Sequence, residues 1–259
     1  MTLSKIIDTS SFPLTDPAFL DRCKAELDKN GVLVLPGFVT EAALNDLQDE
    51  AKQGHQEAYF CAQKHSVYLG PQNPDYAKDH ASNRQVVSSK GCICDDEIAD
   101  NSPLRTIYDS SDFRAFVKHV TGETGLHSYA DPLSSINIHY AERGQELGWH
   151  FDNSSFAITL LIQKPVAGSD FEFVKDLRDA DAGEMNYEGV AALLDGKTKP
   201  DSLNMDAGAL VLFRGRNSIH RVSPNESDKT RMLAVLAYNS QPGIELSESA
   251  RMTFYGRLS

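Results

Sequence analysis

GALVLFRGRNSIHRVSPNESDKTRMLAVLAYN, residues 208–239, decides the fold class of this chain. It contains three short apolar segments, GALVLF, SIHRV and RMLAVLAYN, separated by Gly215 and by the polar run SPNESDKT. Each segment has strand length, and the breaks carry turn residues. The same pattern extends backward through SSINIHYA (134–141), HFDNSSFAITLLIQ (150–163) and DFEFV (170–174). Many short strands joined by turns predict a double-sheet β-barrel or jelly roll. One helix is expected to interrupt it at Tyr187–Leu194.

The first half has a different rhythm. Asp16–Lys29 places Phe19, Leu20, Cys23 and Leu27 at helical spacing behind Thr15, a candidate N-cap. GVLVLPGFV (31–39) reads as a short buried strand. Thr40 then caps a helix to about Gln53, with Ala43, Leu44, Leu47 and Ala51 on one stripe. A further helix is predicted over Ser111–Thr121. Residues 54–100, rich in Gly, Pro, Asn and Ser, read as loops that cover a site. We therefore expect one integrated domain: a helical region, 1–125, packed on a β core, 126–259.

His150-Phe151-Asp152 is the sharpest chemical feature. Side chains i and i+2 of a strand face the same way, so one imidazole and one carboxylate can enter the barrel mouth together. His220 lies in a second strand-like segment, and Arg231 follows it by eleven positions across a turn. Two imidazoles and a carboxylate on one face of an iron leave three coordination positions open, enough for a chelating 2-oxoacid and dioxygen. Arg231, in an otherwise apolar strand, offers a planar fork suited to a carboxylate.

GWHFDNSSFAITLLIQ (148–163), GALVLFRGRNSIHRVSP (208–224) and TRMLAVLAYN (230–239) together resemble the Fe(II)/2-oxoglutarate-dependent dioxygenases. The resemblance is strong over residues 126–245. It implies a double-stranded β-helix that uses Fe(II), 2-oxoglutarate and O2. It puts His150, Asp152 and His220 on the metal, with Arg231, and more loosely Tyr140, on 2-oxoglutarate. The wording is similar to a narrower group, the bacterial radical halogenases of free amino acids and their hydroxylase relatives. Halogenases of that group carry a small residue in place of the acidic ligand. Asp152 fills that position here, which points to hydroxylation. The substrate is expected to be a small molecule, most simply an amino acid or derivative, with Arg84, Asn153 and Asn239 as candidates for polar recognition. Trp149 fits either a core or a pocket wall. The competing readings are a radical halogenase and a non-oxidising jelly-roll metalloenzyme that has no use for Arg231.

Composition narrows the partners. With 41% apolar and 24% charged residues, the chain is that of an ordinary globular protein. Its net charge of −12 gains nothing from counterion release on nucleic acid and argues against an anionic membrane surface. No apolar run approaches the roughly 18 residues of a membrane span, and none resembles a signal peptide. Cys23, Cys61, Cys92 and Cys94 are too few for a disulfide scaffold, and a single C-x-C makes no structural zinc site. A cytoplasmic monomer or homodimer is the expectation.

Overall fold

The computed structural model describes residues 2–259. Its helices are α1 (Leu3–Ile6), α2 (Pro17–Asn30), α3 (Glu41–Gly54), α4 (Pro103–Asp109), α5 (Ser111–Thr121), α6 (Tyr187–Leu194) and α7 (Glu248–Tyr255). The strands are β1 (Val32–Leu35), β2 (Tyr59–Ser66), β3 (Gln85–Ile93), β4 (Ile136–Ala141), β5 (Leu147–His150) and β6 (Ala157–Gln163). They continue with β7 (Phe171–Val174), β8 (Asp201–Leu203), β9 (Leu210–Phe213), β10 (Ile219–Val222) and β11 (Arg231–Leu236).

Helix boundaries follow local chemistry. Thr40 caps α3, its hydroxyl accepting from the Ala43 amide, and the stripe Ala43, Leu47 and Ala51 is buried. The cap of α2 is Asp16 rather than Thr15: its carboxylate accepts from the Ala18 amide at 2.8 Å. Pro17 then opens the helix with its φ already set.

Every strand pairing is antiparallel, and ten strands follow one curled path, β1-β9-β6-β11-β4-β3-β5-β10-β7-β8. This is the double-stranded β-helix. The larger sheet is β1-β9-β6-β11-β4 and the smaller is β5-β10-β7-β8. Strand β3 joins them, pairing with β4 and, through Ser88 and Leu147, with β5.

Alternation sorts each strand into two faces. On the larger sheet Ile136, Ile138, Ile158, Leu160, Leu210, Leu212, Ala234 and Leu236 face the helices, where they pack with Leu27, Leu47, Phe113 and Phe116. The opposite parity lines the barrel. The smaller sheet has a thinner outer cover. Trp149, Phe151 and Ile219 pack under α6 and under Val67 and Ala81.

Residues 54–100 are not simply loops. Strands β2 and β3 form a long hairpin, in register from Tyr59↔Cys92 to Ser66↔Gln85. Polar residues at their inward positions, Gln63, His65, Ser88 and Lys90, broke the apolar alternation that marks a strand. Trp149 belongs to the outer cluster and not to a pocket wall. Among the described residues no helix is long and apolar enough to cross a membrane.

Candidate metal centre and pocket

Strands β5 and β10 run side by side with His150 directly opposite His220. Strand β5 ends at His150, so Asp152 lies just beyond the strand, yet its side chain still turns to the same side. The Asp152 amide donates to the Gly215 carbonyl at 3.0 Å and fixes that turn. Nε2 of His150 and Nε2 of His220 each lie 3.6 Å from Oδ1 of Asp152. The three donor atoms fall within 4.8 Å of one another.

Both imidazoles are set as ligands. A carbonyl can only accept, so Nδ1 of His150 donates to Gly148 O at 2.8 Å, and Nδ1 of His220 donates to Ser218 O at 3.1 Å. Each Nε2 is left with a lone pair aimed at its neighbours, the arrangement that orients metal-bound histidines elsewhere. Burial, and then the His220 ring beside it, holds His150 well below the ordinary imidazole range and therefore neutral. Oδ2 of Asp152 is buried and has no hydrogen-bond partner among the described residues. An unsatisfied buried carboxylate oxygen is costly unless something binds it. A Cβ built on Gly215 would overlap that oxygen, so glycine at 215 makes room for the carboxylate. These observations fit a divalent iron held by His150, Asp152 and His220.

A cavity of about 350 Å³ runs from this centre into the barrel. Arg231 enters it from β11, 8% exposed and without an ion pair or hydrogen bond among the described residues. Burial lowers its guanidinium to about 10, still charged at neutral pH. Leu233 and Val235, of the same parity, line the same wall. An uncompensated buried Arg facing a cavity fits the distal carboxylate of 2-oxoglutarate.

The remaining expected site residues have partners of their own. Tyr140 is turned the other way: with Ile136 and Ile138 it faces the helices, and its hydroxyl donates to Ala51 O at 2.8 Å. Tyr140 still borders the cavity, as does His139 of the opposite parity, but the Tyr140 hydroxyl is directed at the helices and away from it. Arg84 pairs with Asp195 at 2.6 Å, tying the segment after β2 to the end of α6. Asn153 is exposed, and its carbonyl accepts from Arg216. Asn239 bridges to His127 through its backbone, beyond the end of β11. None of the last three lines the cavity. The cavity does include Lys90, His65, Ser88 and His139, which sequence reading passed over. For His139 a clue existed: Ile136, Ile138 and Tyr140 form the apolar parity of β4, which leaves His139 on the other face.

Solved structures share this architecture at low sequence identity. SnoN, described as a non-haem α-ketoglutarate-dependent epimerase from nogalamycin biosynthesis, aligns with a TM-score of 0.59 at 14% identity, over 86% of this chain and 81% of that one. A 2OG-Fe(II) oxygenase family oxidoreductase from Burkholderia pseudomallei gives 0.55 at 10%, over 87% and 93%. A prolyl-4-hydroxylase from Pseudomonas putida gives 0.51 at 11%, over 83% and 96%. No curated protein matches significantly in sequence. The sequence profile of Halogenase D matches residues 15–253, nearly the whole chain, and the chain belongs to that family.

Proposed function

We propose that this chain binds Fe(II) and 2-oxoglutarate and hydroxylates an unactivated C–H bond of a small molecule, a free amino acid or a derivative of one. The observation that carries the outcome is Asp152. Its Oδ1 faces both imidazoles, and its backbone and Gly215 are shaped to keep it there. With three protein ligands and a chelating 2-oxoacid, a six-coordinate ion keeps one place, which dioxygen needs, and none for chloride.

Bound iron, 2-oxoglutarate and O2 together supply the oxidising power for C–H cleavage. The chain's own residues position and enclose. His150 and His220, pinned through Nδ1, present neutral nitrogens in fixed directions. Arg231 would hold the distal carboxylate of the cosubstrate. Phe171 and Phe213, whose ring centres lie 5.6 and 4.8 Å from that of His220, wall the cavity beside the centre with apolar surface. No side chain is required as a general base.

The halogenase alternative has one observation in its favour, the family to which the profile match assigns the chain. The carboxylate at 152 opposes it. A non-oxidising metalloenzyme would leave Arg231 buried without purpose.

The test is a mass-spectrometric screen of free amino acids with protein loaded with Fe(II), 2-oxoglutarate, O2 and excess chloride. Products should gain one oxygen and no chlorine, with succinate formed alongside. A chlorinated product from the unaltered protein would overturn the hydroxylase reading. Absence of succinate under all substrates would overturn the oxygenase itself. Asp152→Gly should abolish hydroxylation without yielding efficient chlorination, since donors able to hold chloride are also needed.

A further inference from the structure

Arg231 is not the only uncompensated cation in the cavity. Lys90, on β3, also lines it and makes no ion pair with any described residue. The cavity's carboxylates are Asp152 and Glu146, and neither pairs with Lys90 or Arg231. The Lys90 ammonium instead lies 3.1 Å from Nε2 and 3.3 Å from Nδ1 of His139. On another side it stands 4.9 Å from the centre of the Phe254 ring on α7. Burial lowers Lys90, and burial with the adjacent Lys90 lowers His139; a neutral imidazole keeps one nitrogen that can accept from the ammonium. An ammonium has three donors, and one bond to His139 leaves others for a ligand.

Sheet register places this ammonium in line with Arg231. Arg231 pairs with Ala141 on β4, and Gly91 pairs with Tyr140 on the next strand, β3. Continuing that register sets Lys90 level with Ala141. Two strand spacings of about 4.8 Å separate the Lys90 and Arg231 backbones by roughly 10 Å. Only the methyl group of Ala141 stands between them. Two long cationic side chains flanking a small residue form a cradle for one anion. The neighbouring row, Leu233 and His139, closes it on one side.

We infer that Lys90, oriented by His139, is a second contact for the distal carboxylate of 2-oxoglutarate, which lies over Ala141 between Lys90 and Arg231. The inference rests on the cosubstrate reading given above. It makes the cavity selective for a dicarboxylic 2-oxoacid through two cations on separate strands.

The experiment is anaerobic binding calorimetry on the full chain loaded with Mn(II), comparing 2-oxoglutarate with 2-oxopentanoate, the same chain without its distal carboxylate. Lys90→Met should weaken 2-oxoglutarate by roughly tenfold or more, the loss expected of a hydrogen bond to a charged group. It should leave 2-oxopentanoate and Mn(II) binding unchanged. Lys90→Gln, which keeps a donor but no charge, should fall between. Combined with Arg231→Met, the two losses should be non-additive, because both cations serve one group. Melting of each metal-free variant checks folding. Unchanged 2-oxoglutarate affinity in both folded Lys90 variants overturns the inference alone and reassigns the ammonium to a substrate carboxylate. Equal loss for both 2-oxoacids overturns it as well, since the effect is then not on the distal group. If the unaltered protein binds neither acid, the cosubstrate reading falls and the inference with it.

Discussion

The two sheets of the barrel are built differently. The larger sheet is backed by α2, α3 and α5 through a continuous apolar cluster that reaches from Ile6 to Tyr238. Its inner face carries Arg231, His139 and Leu233. The smaller sheet consists of strands of three or four residues. Its outer cover is a handful of side chains around Trp149, Phe151 and Ile219. Yet the smaller sheet supplies His150 and His220. On the proposed reading, the deep, heavily buttressed sheet would recognise the cosubstrate, and the thin one would present the metal ligands, next to loops. Stability and metal geometry should therefore respond to different substitutions.

The largest effect should come from the buttress. Phe113→Ala, at a fully buried position among the helices, should cost about 3–5 kcal/mol of stability. Metal affinity of the folded fraction should barely move. A parallel loss in metal titrations would erase the distinction between the sheets. Arg231→Ala should weaken 2-oxoglutarate by about 2–5 kcal/mol, measured anaerobically, while metal binding and melting change little. Unchanged affinity would remove the recognition role from the larger sheet.

On the thin side, Ile219→Val trims a fully buried methyl beside His220. It should cost only about 0.5–1.5 kcal/mol of stability, but should loosen metal binding by more than Phe113→Ala does. Equal effects on metal would sink the comparison. The smallest effect on ligand binding should come from Tyr140→Phe, which removes the hydroxyl bond to Ala51 O. It should cost about 1 kcal/mol and leave 2-oxoglutarate binding intact; a large loss there would give the Tyr140 hydroxyl a part in binding.

Acid sensitivity should arise on both sheets. Burial depresses His139 and His150 below their ordinary imidazole value. Between the folded and unfolded values, the unfolded chain holds more protons, so stability rises with pH. The metal-free protein should thus lose stability as pH falls through about 6.5. Denaturant melts across that range, repeated with His139→Gln, check the sign; a steeper decline in the variant would refute it.

The readable parts of this molecule share one physical basis. His150, Asp152, His220 and Arg231 were legible because strand period and turn spacing are local quantities, and the family resemblance bound them together. Helices α3 and α5 were legible from Thr40 and from the stripes they carry. The hairpin β2–β3 was not, because its inward positions are polar, as at Gln63, His65, Ser88 and Lys90, and show no apolar alternation until Tyr59↔Cys92 and its neighbours are paired. Lys90 was invisible for the same reason: its place opposite Arg231 depends on three strands meeting in register. Tyr140 borders the cavity, but strand parity, which decides the face a side chain occupies, directs its hydroxyl to Ala51 and the helices. Arg84 failed because its partner, Asp195, is remote in sequence.

The bare backbone at Gly215 has an evolutionary corollary. Any side chain there collides with the Asp152 carboxylate, so the two positions form a lock with only some combinations permitted. A lineage that traded the carboxylate for a small residue would leave a hole against Gly215 and relax the constraint on it. A lineage that first enlarged position 215 would have to surrender the carboxylate. Among relatives, then, bulk at 215 and acidity at 152 should be mutually exclusive.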